Sequence, residues 1–416
     1  MRAHTVSLAQ CCRSLGGSLS PAMRPKILML SFRLPVPLTE GFKIRACHLA
    51  KILAQRYTVD LVTFHNGAIP SEQRAQLHTI FRQVICYPLP PLRARFSALA
   101  ALPTPLPLQV FYHRSSALQR WVDQHYSEYD LVFCVHTRMA QYALSLPTKK
   151  VIDLIDASSL LYHGALPYTH GLWHWIYRLE SQRLQRYELS LIAAFDKAFV
   201  ASPYDAAYLL QARAFPSERL VVIPNGVREE LLHCPETLEE HSLLFLGKMD
   251  YAPNVDAVMY FGREVFPYLR AQDPRLTFVI VGTSPRREVR QLAQLPGVIV
   301  TGYVKDPFVY VQRAKVVVAP LRFAAGVQNK VLEALALGKA VVATPPAARW
   351  LPPDEQQVLC VASSAEELIS VIISLLQDGA WRRQLGERGR QLVCSKYRWA
   401  YVGERLLAEI ESVLRS

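Results

Sequence analysis

The stretch Val316-Val-Val-Ala-Pro-Leu-Arg-Phe-Ala-Ala-Gly326-Val-Gln-Asn-Lys330-Val-Leu-Glu333-Ala-Leu-Ala-Leu-Gly338-Lys-Ala-Val-Val-Ala343 reads as a buried strand, a small-residue loop, a helix and a second buried strand. The flanking runs Val316–Ala319 and Ala340–Ala343 are continuously apolar, as in a parallel strand covered on both faces. A small-residue loop opening a helix leaves backbone N–H groups free at the positive end of the helix dipole, an arrangement that holds phosphate without a metal. Lys330 then lies one turn into the helix, near any bound charge. Glu333 follows three residues later on the same face, where a carboxylate can accept two hydrogen bonds from vicinal ribose hydroxyls. On spacing alone, Lys330 and Glu333 fit an ordinary helix-surface ion pair equally well.

The same alternation extends in both directions. Lys26–Ser31 is an apolar run followed by a proline-containing loop that ends at Gly41. Ile44, Leu49 and Leu53 then recur at helical spacing with Ala46, Ala50 and Ala54, and Tyr57–Phe64 resumes strand character. Further strands are expected at Val84–Tyr87, Leu131–Val135, Val151–Ile155 and Lys197–Val200, and a second series at Leu243–Leu246, Leu276–Val281 and Val298–Val300. The fold class this implies is α/β, with two Rossmann-like doubly wound domains facing across a cleft. Pro-Asn-Gly at 224–226 signals the turn between them, giving domains over 24–225 and 226–390 and a C-terminal helix over 391–416 that packs back on the first domain. Residues 88–107 carry six prolines with Arg93, Arg95 and Phe96, and read as a mobile loop with an apolar, basic face. The helix from Trp173 to Ala194 is expected to hold most of its charges on a solvated face.

A length of 416 residues exceeds one core's normal growth, and 51% apolar with 19% charged residues excludes a disordered chain. The net charge of +13 is uneven: residues 1–220 hold 24 Lys and Arg against 13 Asp and Glu, and the remainder 23 against 21. A basic N-terminal half suits phosphates or anionic lipid, and no Arg-rich helix or stacking array singles out nucleic acid. The eight cysteines include no C-x-x-C pair and read as buried free thiols of a reducing compartment, so no metal is expected. No run reaches the 18 or more apolar residues of a membrane span, and a cytoplasmic location is expected. Residues 1–23 read as a disordered tail or a mis-assigned start, with Met23 the alternative start.

Gly326-Val-Gln-Asn-Lys-Val-Leu-Glu333 resembles the donor-binding signature of family 4 retaining glycosyltransferases of the GT-B fold. Pro35–Arg45 resembles that family's N-terminal glycine loop, Ile223–Val227 its interdomain strand and Leu246–Asn254 its diphosphate loop. Within the family, Gln-Asn-Lys-Val-Leu-Glu and Asp153-Leu-Ile-Asp156 resemble the exosortase-associated (PEP-CTERM) exopolysaccharide sugar transferases. The resemblance implies a nucleotide-diphosphate-sugar donor, a glycan or lipid-linked acceptor, and no cofactor. It implies donor contacts at Gly41, Gly247, Asn254, Gly326, Val327, Gln328, Asn329 and Glu333. Lys248, Lys330, His136 and Asp156 are implied in catalysis, and Lys43 and Arg45 on the acceptor side near the cleft mouth.

The sequence departs from the family pattern in two places. The family's first glutamate falls at Ala325 here, and the second cation of the diphosphate loop at Pro253 or Asn254. Asp153 and Asp156 flank a strand end, where a carboxylate serves an acceptor hydroxyl or caps the next helix. His136 fits a merely exposed or satisfied histidine as well as a cleft residue. Two rivals stand beside transfer: a non-catalytic nucleotide-sugar-binding partner, and an NDP-sugar epimerase or a phosphorylase on the same fold. Peripheral contact with an anionic membrane is a further expectation from the charge distribution.

Overall fold

The computed structural model describes residues 24–416 apart from 214, 217, 235 and 236. The expected tail over 1–23, with Met23, Cys11 and Cys12, lies outside the described residues. Two parallel sheets follow one another along the chain. The first holds β1 (Lys26–Ser31), β2 (Thr58–Phe64), β3 (Gln83–Tyr87), β4 (Leu131–Val135), β5 (Lys150–Ile155), β6 (Lys197–Val200) and β7 (Leu220–Val222), in the order β3-β2-β1-β4-β5-β6-β7. The second holds β8 (Glu240–Leu246), β9 (Thr277–Val281), β10 (Val298–Gly302), β11 (Ala314–Ala319), β12 (Ala340–Ala343) and β13 (Cys360–Val361), in the order β10-β9-β8-β11-β12-β13.

Continuous apolar runs form these strands because helices cover both faces. In β1, Leu28 and Leu30 enter one buried cluster while Ile27 and Met29 enter the other. In both sheets the strand order reverses beside the first strand, between β1 and β4 and between β8 and β11. Those switch points are where a doubly wound sheet leaves a crevice at the carboxyl ends of its strands.

The chain crosses between sheets at Ile223–Val227 and returns at Tyr397–Trp399, and the two crossings touch. Val227 N–H donates to the Tyr397 carbonyl at 2.7 Å, and a side chain at Gly226 would collide with Trp399 at 2.6 Å. The return starts later than residue 391, because helix Gly379–Lys396 is held to the second domain. A Cβ at Gly386 would meet the Gly338 carbonyl oxygen, and one at Gly389 the Leu335 side chain. The last helix, Trp399–Arg415, packs on the first, Gly41–Leu53, with His48 stacked on Trp399 and Gly403 against Ile52.

Two expectations are corrected. Residues 88–107 are not a mobile loop: helix Pro91–Leu99 occupies their middle, with Ala94 buried and Ser97 Oγ donating to the Phe111 carbonyl at 2.8 Å. The six prolines fall at 88, 90, 91, 103, 105 and 107, leaving an uninterrupted helical window whose first residue tolerates proline. In helix Gly171–Ala194, Glu180, Arg183 and Glu188 are buried rather than solvated. Glu180 accepts from Leu108 N–H at 2.8 Å, Glu188 from Ser159 N–H at 3.2 Å, and Arg183 donates to the Leu102 carbonyl at 2.6 Å. Of the six described cysteines, Cys47, Cys134 and Cys360 are buried, Cys86 and Cys234 partly so, and Cys394 is exposed.

Arg45 and Asp153 form a fully buried two-pronged ion pair, with Nε and Nη2 each 2.7 Å from a carboxylate oxygen. Removing one partner strands the other charge in the core. Arg45→Met is therefore expected to cost the first domain about 3–5 kcal/mol, with Arg45→Met/Asp153→Leu recovering most of it. Denaturant unfolding of the three proteins would check this, and equal losses in the single and double variants would refute it.

Candidate functional site

The two switch points face each other across a cleft of about 890 Å³. Four strand ends supply its walls: Gly41 after β1, His136 after β4, Gly247 after β8 and Gly326 after β11. A more open depression of about 830 Å³ lies at the opposite, amino ends of the strands beside Pro25, Lys150 and Leu414, where this topology leaves no crevice.

The helix opened by the Gly326 loop spans Asn329–Ala336 and has no side-chain cap. Among the described residues, no hydrogen bond uses the N–H groups of residues 327–330, so the positive end of this helix is open to the cleft. Gly326 itself is committed: its N–H donates to Asp205 of the first domain at 3.1 Å. Its φ of 65° suits glycine, and a Cβ there would sit 3.0 Å from Asp156 Cβ.

Lys330 and Glu333 both line the cleft, yet no ion pair joins them within 4.0 Å. Lys330 Nζ lies 5.3 Å from the Phe245 ring centre, and burial lowers its pKa to about 8. Burial likewise raises Glu333 to about 7, against the opposing pull of Arg228 and Lys330. Around them stand Lys248, 3.5 Å from Glu40 and 3.3 Å from Asp250, and Arg228, whose buried Nε has no hydrogen-bond partner.

On the opposite wall, His136 and Ile155 adopt φ of 73° and 72° at the ends of β4 and β5, a backbone region that non-glycine residues avoid. The His136 Nδ1 faces the Thr137 hydroxyl at 3.0 Å and the Arg138 N–H at 3.5 Å. A backbone N–H can only donate, so Nδ1 carries the lone pair and the proton sits on Nε2. Burial and then Arg138 hold this ring well below the usual histidine pKa, in keeping with a neutral imidazole. Ile155 turns Asp156 into the cleft, where burial and then nearby Asp205 raise it to about 7. Ser158 donates to Asp156 Oδ1 at 3.1 Å.

Of the residues expected from sequence, Gly41, His136, Asp156, Gly247, Lys248, Asn254, Gly326, Val327, Gln328, Asn329, Lys330 and Glu333 all line this cleft. Several have additional structural ties. Asn254 donates to the Lys248 carbonyl at 3.0 Å and fixes that loop against Gly247. Asn329 accepts from Asn225 at 2.8 Å, and its amide lies 2.9 Å from where a Gly41 Cβ would stand. Gln328 donates back to its own loop at the Ala325 carbonyl, 3.1 Å away. Lys43 is not among the lining residues, and Arg45, expected at the cleft mouth, is instead buried against Asp153. Its position on the inward face of helix Gly41–Leu53 explains the correction.

Sequence reasoning missed Arg138, Arg228 and Asp205. Arg138 lies over the Phe32 ring at 4.4 Å, donates to Gln109 at 2.9 Å, and has its pKa lowered to about 10 by burial. Its place three residues past the end of β4 was a usable signal. Arg228, next to the interdomain turn, offered a similar one, whereas nothing local marks Asp205 as reaching the other domain.

A family model described as Glycosyltransferase Family 4 matches residues 40–231, and one described as Glycosyl transferases group 1 matches residues 240–378. The chain is a glycosyltransferase. Its two Rossmann-like domains form the GT-B fold, and solved structures of similar fold align along nearly the whole chain. Sucrose-phosphate synthase from Thermosynechococcus elongatus aligns with a TM-score of 0.68 at 18% identity, over 94% of this chain and 100% of that one. Anabaena HepE in complex with UDP and glucose aligns at 0.68 and 17%, over 93% and 100%. WaaG, a glycosyltransferase involved in lipopolysaccharide biosynthesis, aligns at 0.63 and 16%, over 91% and 98%. No curated protein matches the transferase significantly.

The raised Glu333 pKa has a consequence for stability. The folded carboxyl keeps its proton to about pH 7 and the unfolded one only to 4.5. The folded state therefore binds more protons in that window, and stability falls as pH rises through it. Glu333→Gln is expected to raise the thermal midpoint at about pH 8 and change it little near pH 4.5. Thermal scans at both pH values test this, and an equal shift at both would exclude it.

Proposed function

We infer that this transferase moves a glycosyl group from a nucleotide-diphosphate sugar to a hydroxyl of a glycan or lipid-linked acceptor, with retention at the anomeric carbon. The observation that supports this best is the uncapped helix start at 327–330, with Lys248, Arg228 and Lys330 lining the same cleft. Such a site suits a diphosphate, and protein cations meet its charge without a metal. Glu333 lies on the same helix, placed for a ribose diol, and its ionised form can accept a hydrogen bond from each hydroxyl.

In the step proposed, the bond from the anomeric carbon to the diphosphate oxygen breaks as the acceptor oxygen bonds to the same face of that carbon. The acceptor proton passes to the departing phosphate oxygen. Lys248, Lys330 and the helix end stabilise the charge that develops on the leaving group. Asp156, half-neutral near pH 7, holds the acceptor hydroxyl, and the Nε2–H of His136, on the same wall of the cleft, reaches the sugar. Closure of the two domains around the donor would exclude water from the reacting pair. No glutamate stands at position 325, so Asp156 beside Gly326 supplies the carboxylate on that side of the sugar.

For the acceptor, the resemblance to exosortase-associated transferases and the likeness to WaaG both favour assembly of a surface glycan, here an exopolysaccharide. A nucleotide-sugar binder without turnover, or an epimerase, draws no comparable support from the matching domains.

Glu333→Ala is expected to weaken nucleotide-sugar binding by about 1.5–3 kcal/mol, the worth of hydrogen bonds to a charged acceptor. Titration calorimetry against a panel of nucleotide sugars reads this directly, and unchanged affinity would remove Glu333 from the site. In the transfer reaction, NMR of the product should show the donor's anomeric configuration; an inverted product would refute retention.

A further inference from the structure

Two helices of the N-terminal domain turn apolar faces to solvent. On helix Pro91–Leu99, Leu92, Phe96 and Leu99 recur at i, i+4 and i+7 and are 69%, 71% and 58% exposed, while Ala94 faces inward. On helix Gly171–Ala194, Leu172, Trp175 and Leu179 recur at i, i+3 and i+7 and are 73%, 64% and 43% exposed. A helix bordering water normally has its apolar stripe toward the core. Here the stripes point outward.

The two helices are tied together through the segment that follows the first. Arg183 of the second helix binds the Leu102 carbonyl at 2.6 Å, and Glu180 holds Leu108 N–H at 2.8 Å, so the segment after the first helix is fastened to the middle of the second. The surrounding sequence is free of acid: no Asp or Glu occurs between Glu72 and Asp123, or between Asp156 and Glu180. Arg93, Arg95 and Arg178 stand exposed among the apolar residues.

We propose that this face seats the transferase on an anionic membrane surface. Exposed tryptophan, phenylalanine and leucine enter the boundary between headgroups and acyl chains, and the arginines meet headgroup phosphates. A second copy of the chain would set these arginines against their own kind, with no carboxylate on the face to receive them. The seat adjoins the cleft: Gln109, just beyond Leu108, and Tyr177, between Trp175 and Leu179, both line it. An acceptor whose hydroxyl lies at headgroup level is thereby within reach. The proposal goes beyond the donor reading and does not depend on it.

The test is co-sedimentation of the full chain with vesicles of phosphatidylcholine alone and of phosphatidylcholine mixed with phosphatidylglycerol, at low and high salt. The wild type should pellet with the mixed vesicles, release at high salt, and show a blue shift of tryptophan emission on binding. Leu92→Glu/Phe96→Glu and Trp173→Ser/Trp175→Ser should each lower the bound fraction by about tenfold or more. Circular dichroism checks folding, and if one pair unfolds the other decides. Wild type left in the supernatant, equal binding to neutral vesicles, or unchanged binding of the folded variants would overturn the proposal. Sedimentation velocity showing self-association through these residues, without vesicle binding, would overturn it as well.

Discussion

The buried charge of Arg45 ties the two halves of this molecule to one another. A guanidinium with no access to water must have its donors occupied, and the chain meets that demand from two sides. Asp153 on β5 takes two donors, and the Pro224 carbonyl and Asn225 side chain take Nη1 at 3.3 and 2.8 Å. Asn225 in turn donates to Asn329 at the start of the helix that carries Lys330 and Glu333. A continuous polar path thus runs from the first sheet through the interdomain crossing to the cleft-facing helix start. The first helix, β5 and the crossing must all be in register for that path to close.

Much of this was legible in the sequence because doubly wound sheets write themselves as repeated apolar runs. Every strand longer than three residues was readable to within a few positions, and the switch points then followed from chain order. Shorter elements were not: β7 and β13 span three and two residues, too few to carry a pattern. The direction of a charged side chain was the other limit. Arg45 follows Lys43 by two residues on one helix, and nothing in their local composition distinguishes the buried cation from the partly exposed one. Its partners lie more than a hundred residues away, beyond any periodicity. Composition also misled over residues 88–107, where prolines clustered at both ends concealed the helix between them.

The cleft shows how charge is shared between domains. Ala325 leaves the second domain without a carboxylate at that position, while the first domain brings Asp156 against Gly326 and Asp205 onto its N–H. Asp205 also accepts from Ala157 N–H at 2.8 Å, so one carboxylate grips the loop after β5 and the loop after β11 together. Burial raises Asp156 and Asp205 alike, and the charge of Asp205 adds to the rise at Asp156. Lys248 and Glu40 make a matching bridge on the other side of the cleft mouth. The site is thus assembled by contact between domains, and neither domain contains it alone.

The paired crossings at Val227 and Tyr397 govern how those contacts can be broken and remade. Two chain segments are hydrogen-bonded side by side there, with Trp399 wedged against Gly226, so the domains are joined by two strands of chain at one place. Any change in the spacing of the domains must therefore be taken up at these two adjacent crossings, and it would part the Asp205 contact with Gly326 and the Lys248 contact with Glu40.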